Sequence, residues 1–404
     1  MSKLAIEGGK PVRTDLFAPW PCYEEDEIEA AAKTLRTGRV NYWTGDQVRE
    51  FEKAFADAIG VKYAVALMNG TVALEAALMS CGICAGDEVI VTPRSYIASV
   101  SSVVTCGAKP VFADVDATSQ NLTAASIKKV ITPKTKAMIL VHLAGWPCEM
   151  DKILALAKKH KLAVIEDCAQ AQGAKYKGKA VGSFGDAATF SFCQDKIMTT
   201  GGEGGMLTTN RRDIWSKAWS LKDHGKCYDT VFSGNIKPGP AFRWLHESFG
   251  SNWRMTEMQA AIGRIQLTKL DRWLARRRQN TKILVDAFSG IDALRTCTPP
   301  DYIFHACYKC YVFLRPKRLA AGWDQARVIA AIAAEGVPCF AGSCSEIYLE
   351  KAFDTSGLRP SAPLPVAREL GQTSMMFLVH PTLTKKHMQD TVRAVKKVMA
   401  VASA

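Results

Sequence analysis

Leu162-Ala163-Val164-Ile165-Glu166-Asp167-Cys168-Ala169-Gln170 is a short apolar run closed by two carboxylates. Leu162–Ile165 has the length and branching of a buried strand, and the helical spacing of Met150–His160 stands just before it. The same alternation continues upstream. Val48–Ile59 and Val72–Met79 have helical spacing, while Tyr63–Met68, Glu88–Thr92, Val111–Val115 and Ala137–Val141 are runs of strand length. Such alternation implies an α/β fold, a large domain whose mostly parallel central sheet is covered on both faces by helices. Functional groups gather at the carboxyl ends of strands in such sheets.

Downstream the pattern changes. Lys222–Gly250 is irregular, with Pro238-Gly239-Pro240 as a breaker, and reads as a long loop. Met255 to Arg278 is one long amphipathic helix. The strand Tyr308–Leu314, the helix Asp324–Glu335 and a terminal helix from Lys386 make a smaller C-terminal α+β domain. A length of 404 residues suits two domains, expected at 1–265, with the N-terminal arm, and 266–404.

The net charge is +13, but the basic residues are spread along the chain. The densest run, Arg276-Arg277-Arg278, ends the long helical pattern and reads as a solvated face. No basic stripe with interleaved aromatics suggests nucleic acid. The N-terminal segment lacks the apolar core of a signal peptide, and no run spans a bilayer, so a soluble, cytoplasmic protein is expected. Of the 13 cysteines, Cys81/Cys84 and Cys307/Cys310 have metal-type spacing but stand far apart. They read as buried free thiols, and no metal is expected.

A second strand, Thr189-Phe190-Ser191-Phe192, leads into Cys193-Gln194-Asp195-Lys196 and then Gly201-Gly202-Glu203-Gly204-Gly205. A lysine in a loop and an aspartate at a strand end are what pyridoxal phosphate requires. Lys196 would form the Schiff base, and Asp167 would keep the pyridine nitrogen protonated. The alternatives are a surface lysine and a helix-capping aspartate. Asn69-Gly70-Thr71 opens a helix after a strand, where backbone N–H groups and the Thr71 hydroxyl can meet a phosphate. Ser191 could give a second hydroxyl, or bond only to backbone. Tyr96 could lie on the pyridine ring, or belong to the core.

These residues resemble the DegT/DnrJ/EryC1/StrS sugar aminotransferases, of PLP-dependent transferase fold type I, over essentially the whole length. The likeness is densest in Gly70-Thr71-Val72-Ala73-Leu74, Gly86-Asp87-Glu88-Val89-Ile90-Val91, Gly107-Ala108-Lys109-Pro110-Val111-Phe112 and Ile165-Glu166-Asp167. It continues in Val181-Gly182-Ser183-Phe184-Gly185-Asp186, Glu203-Gly204-Gly205 and Asn252-Trp253-Arg254-Met255. The resemblance implies Lys196 as the cofactor-linked lysine, Asp167 as the pyridinium partner, Gln170 near the ring hydroxyl and Tyr96 stacked on the ring. Gly70, Thr71 and Ser191 would hold the phosphate. Asn252, with Arg254 beside it, would reach that phosphate from a neighbouring subunit, making a homodimer with shared active sites.

The implied reaction moves an amino group from an amino acid, glutamate by family habit, to a 3- or 4-keto sugar carried on a nucleotide. The cofactor passes through pyridoxamine 5′-phosphate, and the product serves a surface polysaccharide or a glycosylated product. The loop Asp195-Lys196-Ile197-Met198 departs from the family's usual Thr-Lys-Asn-Leu. Met198-Thr199 matches relatives that aminate cyclitol ketones or make aminohydroxybenzoate, which keeps both acceptors open. Relatives that dehydrate sugars carry histidine at the lysine position, so Lys196 speaks against that chemistry. Intact Lys196, Asp167 and Gln170 also speak against an idle regulator. His224, Lys226, Trp244, His246 and Trp146 are candidates for the acceptor pocket, and the basic Lys222–Arg243 loop for a substrate diphosphate.

Overall fold

The computed structural model describes residues 3–232 and 244–404. Seven strands form the central sheet: β1 (Tyr63–Leu67), β2 (Glu88–Val91), β3 (Lys109–Phe112), β4 (Thr135–Val141), β5 (Ala163–Asp167), β8 (Ala187–Ser191) and β9 (Gly205–Thr209). Two short strands, β6 (Lys175–Tyr176) and β7 (Lys179–Ala180), pair with each other outside it. The spatial order is β1-β9-β8-β5-β4-β2-β3. Pairings from β8 through β3 are parallel, whereas β9 runs antiparallel to both β8 and β1.

Both faces are buried, and successive residues alternate between them as the pleat requires. Val89, Val91, Ile139 and Ile165 enter one apolar core; Ile90, Met138, Leu140 and Val164 enter another. Helices α1 (Glu25–Thr37), α2 (Gln47–Ile59), α3 (Gly70–Ser80), α4 (Ala98–Thr105), α5 (Ala124–Lys128), α6 (Met150–His160), α7 (Arg212–Lys222) and α8 (Tyr228–Phe232) belong to this part of the chain.

Next comes α9, Glu257–Phe288, a helix of 32 residues. Thr256 caps it by accepting the Gln259 N–H, and Gln259 closes a capping box. The expected 265/266 division falls inside this helix. Its Trp273 and Leu274 pack in the first core, and its Leu284 and Phe288 pack in a separate one. That further core is built on an antiparallel sheet, in the order β10 (Leu294–Thr296), β12 (Cys310–Leu314), β14 (Ser374–Phe377) and β13 (Cys339–Phe340). Helices α10 (Gln325–Ala334) and α12 (Lys385–Ala402) cover it, while α11 (Pro365–Thr373) sits by the large sheet's second core. Strand β11 (Ile303–Phe304) crosses back to pair with β6. The first residues of the N-terminal arm pack on the small lobe, whereas Trp20 further along packs against the large sheet's first core. Leu4 lies in that lobe's core, and Glu335 accepts the N–H groups of Ala5 at 2.8 Å and Val12 at 3.0 Å.

Three expectations need correction. Arg277 is buried, because the helical face shared with Trp273 and Leu274 turns inward; only Arg276 and Arg278 are solvated. All 13 cysteines are free, but Cys84 is exposed and Cys81 half-buried, since α3 ends at the surface there. Lys222 is buried and paired with Glu52 at 2.8 Å, its ammonium 4.2 Å from the Tyr42 ring centroid, so it is not free to meet a diphosphate. Lys237 and Arg243 of the same loop lie outside the described residues.

Candidate active site

The carboxyl ends of β1, β5 and β8 and the N-termini of α3 and α4 surround a cavity of about 460 Å³. Its lining includes Gly70, Thr71, Tyr96, Asp167, Gln170, Ser191 and Lys196 together. Seven of the nine candidate positions therefore converge, from segments far apart in sequence.

One wall is the start of α3. The Asn69 side chain caps the helix, accepting the Val72 N–H at 3.0 Å, and the first-turn N–H groups of Gly70 and Thr71 have no carbonyl within the helix. Ser191, the last residue of β8, packs directly against Gly70. A Cβ added to Gly70 would lie 2.7 Å from the Ser191 Cβ. Gly205 has a parallel reason, since a Cβ there would stand 2.2 Å from the Asn69 carbonyl oxygen. Backbone N–H groups, the positive end of a helix and two hydroxyls thus share one corner, the chemistry of a phosphate cradle.

Asp167 closes the floor at the end of β5. Its Oδ2 accepts the Ser99 hydroxyl at 2.7 Å and its Oδ1 the Ala169 N–H at 3.1 Å. Burial pushes its carboxyl upward; the Ser99 and Ala169 hydrogen bonds and the Lys196 charge pull the other way. A buried carboxylate with that balance lacks a close cation, and a protonated ring nitrogen is such a cation. The neighbouring Glu166 points to the opposite face of β5, where it accepts N–H groups from Gly182, Phe184 and Gly185 and pairs with His142. His142, Glu166 and Cys168 come close enough to hold a metal, but Glu166 is already engaged in fixing the strand end.

Lys196 follows a tight turn in which its N–H donates to the Cys193 carbonyl at 3.0 Å. Its carbonyl accepts the Trp20 indole N–H at 2.8 Å, and its side chain is 16 % exposed. The Gln170 side-chain oxygen accepts the Ala144 N–H at 2.8 Å, so the amide nitrogen is what it can offer the cavity. Tyr96, 69 % exposed, lies at the rim. This set fits pyridoxal phosphate: an amine, a carboxylate short of a cation, and a phosphate corner in one enclosure.

Asn252 and Arg254 do not line the cavity. Their segment runs beside the end of β1, where the Met68 N–H donates to the Trp253 carbonyl at 2.9 Å. Arg254 pairs with Asp223 at 2.6 Å, and its Nε is buried without a partner among the described residues. Of the acceptor candidates, Trp146 lines a larger cavity of about 1120 Å³ beside α9, together with Trp20, Arg272, Lys309 and Tyr311. His224, Lys226, Trp244 and His246 line neither. Ser99 escaped sequence reading; it stands in the first turn of α4, with the Ser95 hydroxyl of the preceding segment 3.0 Å from its own.

The sequence profile of the DegT/DnrJ/EryC1/StrS aminotransferase family matches residues 21–396. A GDP-perosamine synthase from Caulobacter vibrioides is 50 % identical over 235 residues, 58 % of this chain and 60 % of that one. The match thus spans about three-fifths of that relative. An L-glutamine:2-deoxy-scyllo-inosose aminotransferase from Streptoalloteichus tenebrarius is 39 % identical over 70 % of this chain and 67 % of its own length. The X-ray structure of an aminotransferase from Psychrobacter cryohalolentis is 54 % identical and superposes with a TM-score of 0.93, covering 95 % of this chain and 99 % of that one. With a profile match over nearly its whole length, this chain belongs to the DegT/DnrJ/EryC1/StrS aminotransferase family.

Proposed function

We propose that the protein is a pyridoxal-5′-phosphate-dependent aminotransferase that moves an amino group from L-glutamate to the ketone of a nucleotide-linked sugar. The observation that carries this reading is the meeting of Lys196, Asp167 and the Gly70–Thr71–Ser191 corner in one cavity. Bound there, the cofactor would supply an electron sink and a carrier for the amino group between the two substrates. Asp167 holds positive charge at the ring nitrogen, and Ser99 keeps that carboxylate aimed. The α3 N-terminus, Thr71 and Ser191 bind the phosphate, while Gln170 and Tyr96 orient the ring. The Lys196 Nζ, when free, takes the proton from the amino-bearing carbon of the donor. In the second half-reaction it returns a proton to the former ketone carbon of the acceptor.

The perosamine synthase relative supports a nucleotide-linked keto-sugar, serving a surface polysaccharide or a glycosylated product. The inosose aminotransferase relative favours a second reading, a cyclitol ketone with glutamine as donor. The proposed unit is a homodimer in which Asn252 and Arg254 complete the partner's site. The exposed Phe232, Trp244 and Phe249 support it. No helix among the described residues is long and apolar enough to cross a membrane, and cytoplasmic action is part of the proposal.

The test is the absorbance spectrum of purified protein with pyridoxal phosphate, before and after glutamate. A cofactor band that glutamate converts supports the reading, and Lys196→Ala should abolish that conversion. Absence of any cofactor band overturns it. A band converted only by glutamine, with inosose as acceptor, selects the second reading.

A further inference from the structure

Lys196 and Asp195 are neighbours in sequence, yet their side chains meet. In an extended chain they would diverge, but the turn closed by the Lys196 N–H and the Cys193 carbonyl folds them together. The Lys196 Nζ lies 3.6 Å from Asp195 Oδ1, within ion-pair reach but beyond a hydrogen bond. The other oxygen, Oδ2, accepts the phenol of Tyr308. Tyr308 in turn is a fixed post. Its N–H donates to the Ala144 carbonyl at 2.9 Å, its carbonyl accepts Arg277 Nη1 at 3.1 Å, and its ring is buried. Two lysines flank the ring. Lys196 stands 5.3 Å from its centroid, and Lys309, which lines the larger cavity, stands 4.8 Å from it.

We propose that Asp195, held by Tyr308, is a positioning residue that pairs with the Lys196 nitrogen and keeps it over the cavity whenever that nitrogen carries positive charge. The proposal rests on Lys196 being the cofactor-linked lysine. Such a lysine would be freed in the first half-reaction and bonded again only at the end of the second, so its free ammonium needs a nearby counter-ion that does not immobilise it. An ion pair longer than a hydrogen bond has that property.

The charges around Lys196 agree. From the same loop Asp195 is the one carboxylate within ion-pair distance of it among the described residues. Asp167 approaches from β5, and Glu203 from the glycine cluster lines the same cavity beside Cys193. Lys309 of β12's approach and Arg277 of α9 oppose a second positive charge from behind Tyr308. Burial acts to raise the Asp195 carboxyl, but the Lys196 charge and the Tyr308 hydroxyl outweigh it and hold the carboxyl low. Tyr308 is pushed well above the ordinary phenol range, by burial and then by Asp195, and remains a donor.

The experiment measures Lys196 in the cofactor-free full-length protein, by pH-dependent competitive labelling with acetic anhydride read by mass spectrometry. Asp195→Asn should lower the midpoint for Lys196 labelling, because the neutral amide no longer favours the ammonium 3.6 Å away. Tyr308→Phe should lower it by less, since the carboxylate stays but loses its tether. In the holoenzyme the pH midpoint of the cofactor band should fall in the same order, and kcat should drop more than the donor KM rises. An unchanged labelling midpoint in Asp195→Asn protein that melts like the wild type overturns the proposal. If Asp195→Asn fails to fold, an unchanged midpoint in Tyr308→Phe does so. Failure of borohydride to fix pyridoxal phosphate on wild-type Lys196 would instead refute the cofactor reading and leave the labelling comparison intact.

Discussion

Replacing Gly70 by alanine tests the phosphate corner with a single methyl group. The new Cβ would lie 2.7 Å from Ser191 Cβ and 3.2 Å from both Ser191 Cα and Oγ. Ordinary carbon–carbon contact is about 3.5–4.0 Å, so roughly 1 Å must be found somewhere. Ser191 cannot readily supply it, because it pairs with Gly205 across β8 and β9. The start of α3 must move instead, and its N–H groups leave the corner. Overpacking of this kind costs about 1–3 kcal/mol. The higher helix propensity of alanine, up to about 1 kcal/mol, offsets part of it. A net loss of about 1–2 kcal/mol borne by the cofactor-bound state corresponds to about 5–30-fold weaker cofactor binding. Titrating apoprotein with pyridoxal phosphate and following the absorbance band gives the dissociation constant; urea unfolding of the apoprotein shows how much of the cost appears as stability. Ser191→Gly removes the struck Cβ, so Gly70→Ala should cost much less in that background. Wild-type affinity and stability in Gly70→Ala would refute the reasoning. So would a penalty that Ser191→Gly leaves unchanged, because the contact would then not be its cause.

Asp167→Asn should weaken cofactor binding while leaving the apoprotein at least as stable near neutral pH. Burial raises the native carboxyl above its unfolded value. The native state therefore binds more protons than the unfolded state, and this group's contribution falls as pH rises from the ordinary carboxylate range to the raised native midpoint. Urea unfolding of apoprotein against pH should show the advantage of the asparagine variant growing through that window; a flat difference would contradict it. Lys269→Ala should cost about 3–5 kcal/mol, read from urea midpoints, because Lys269 sits 2.9 Å from the fully buried Glu27 and would leave it unpaired. A loss under about 1 kcal/mol would mean that Glu27 finds another partner. Phe249→Asp should shift the protein toward monomer in sedimentation experiments, and an unchanged mass would remove Phe249 from the proposed interface.

Much of this was legible in sequence where one segment carries its own signal. The apolar runs that became β1, β2, β4, β5 and β8 are buried on both faces, so composition marks them. The strand read at Val111–Val115 formed instead at Lys109–Phe112. It is the sheet's edge, where Pro110 and a half-solvated lysine are tolerated and apolar content is a poor guide to pairing. The reversal of β9 left no mark, since an apolar run reads alike in either direction. The long helix ran ten residues past its expected end because nothing between Arg278 and Phe288 breaks it. Arg277 could have been placed inside by counting helical turns from Trp273 and Leu274. Ser99, Glu166 and Tyr308 were invisible as partners for a different reason. Their significance lies in what the fold brings beside them, and no local pattern encodes that.

The long α9 has a consequence for what the chain can tolerate. At about 1.5 Å per residue it is a rod of about 48 Å, clamped at several points along its length. Gln266 accepts the Thr199 N–H at 2.7 Å near the lysine loop, Arg277 holds the Tyr308 carbonyl at 3.1 Å, and Phe288 ends in the small lobe's core. Such a rod locks rotational phase. One residue inserted between Gln266 and Arg277 would turn everything beyond it by about 100° and advance it by about 1.5 Å, carrying Arg277 away from Tyr308 and the small lobe out of alignment. Substitutions along its exposed stripe leave that phase untouched. The helix is thus permissive to changes of letter and intolerant of changes of length.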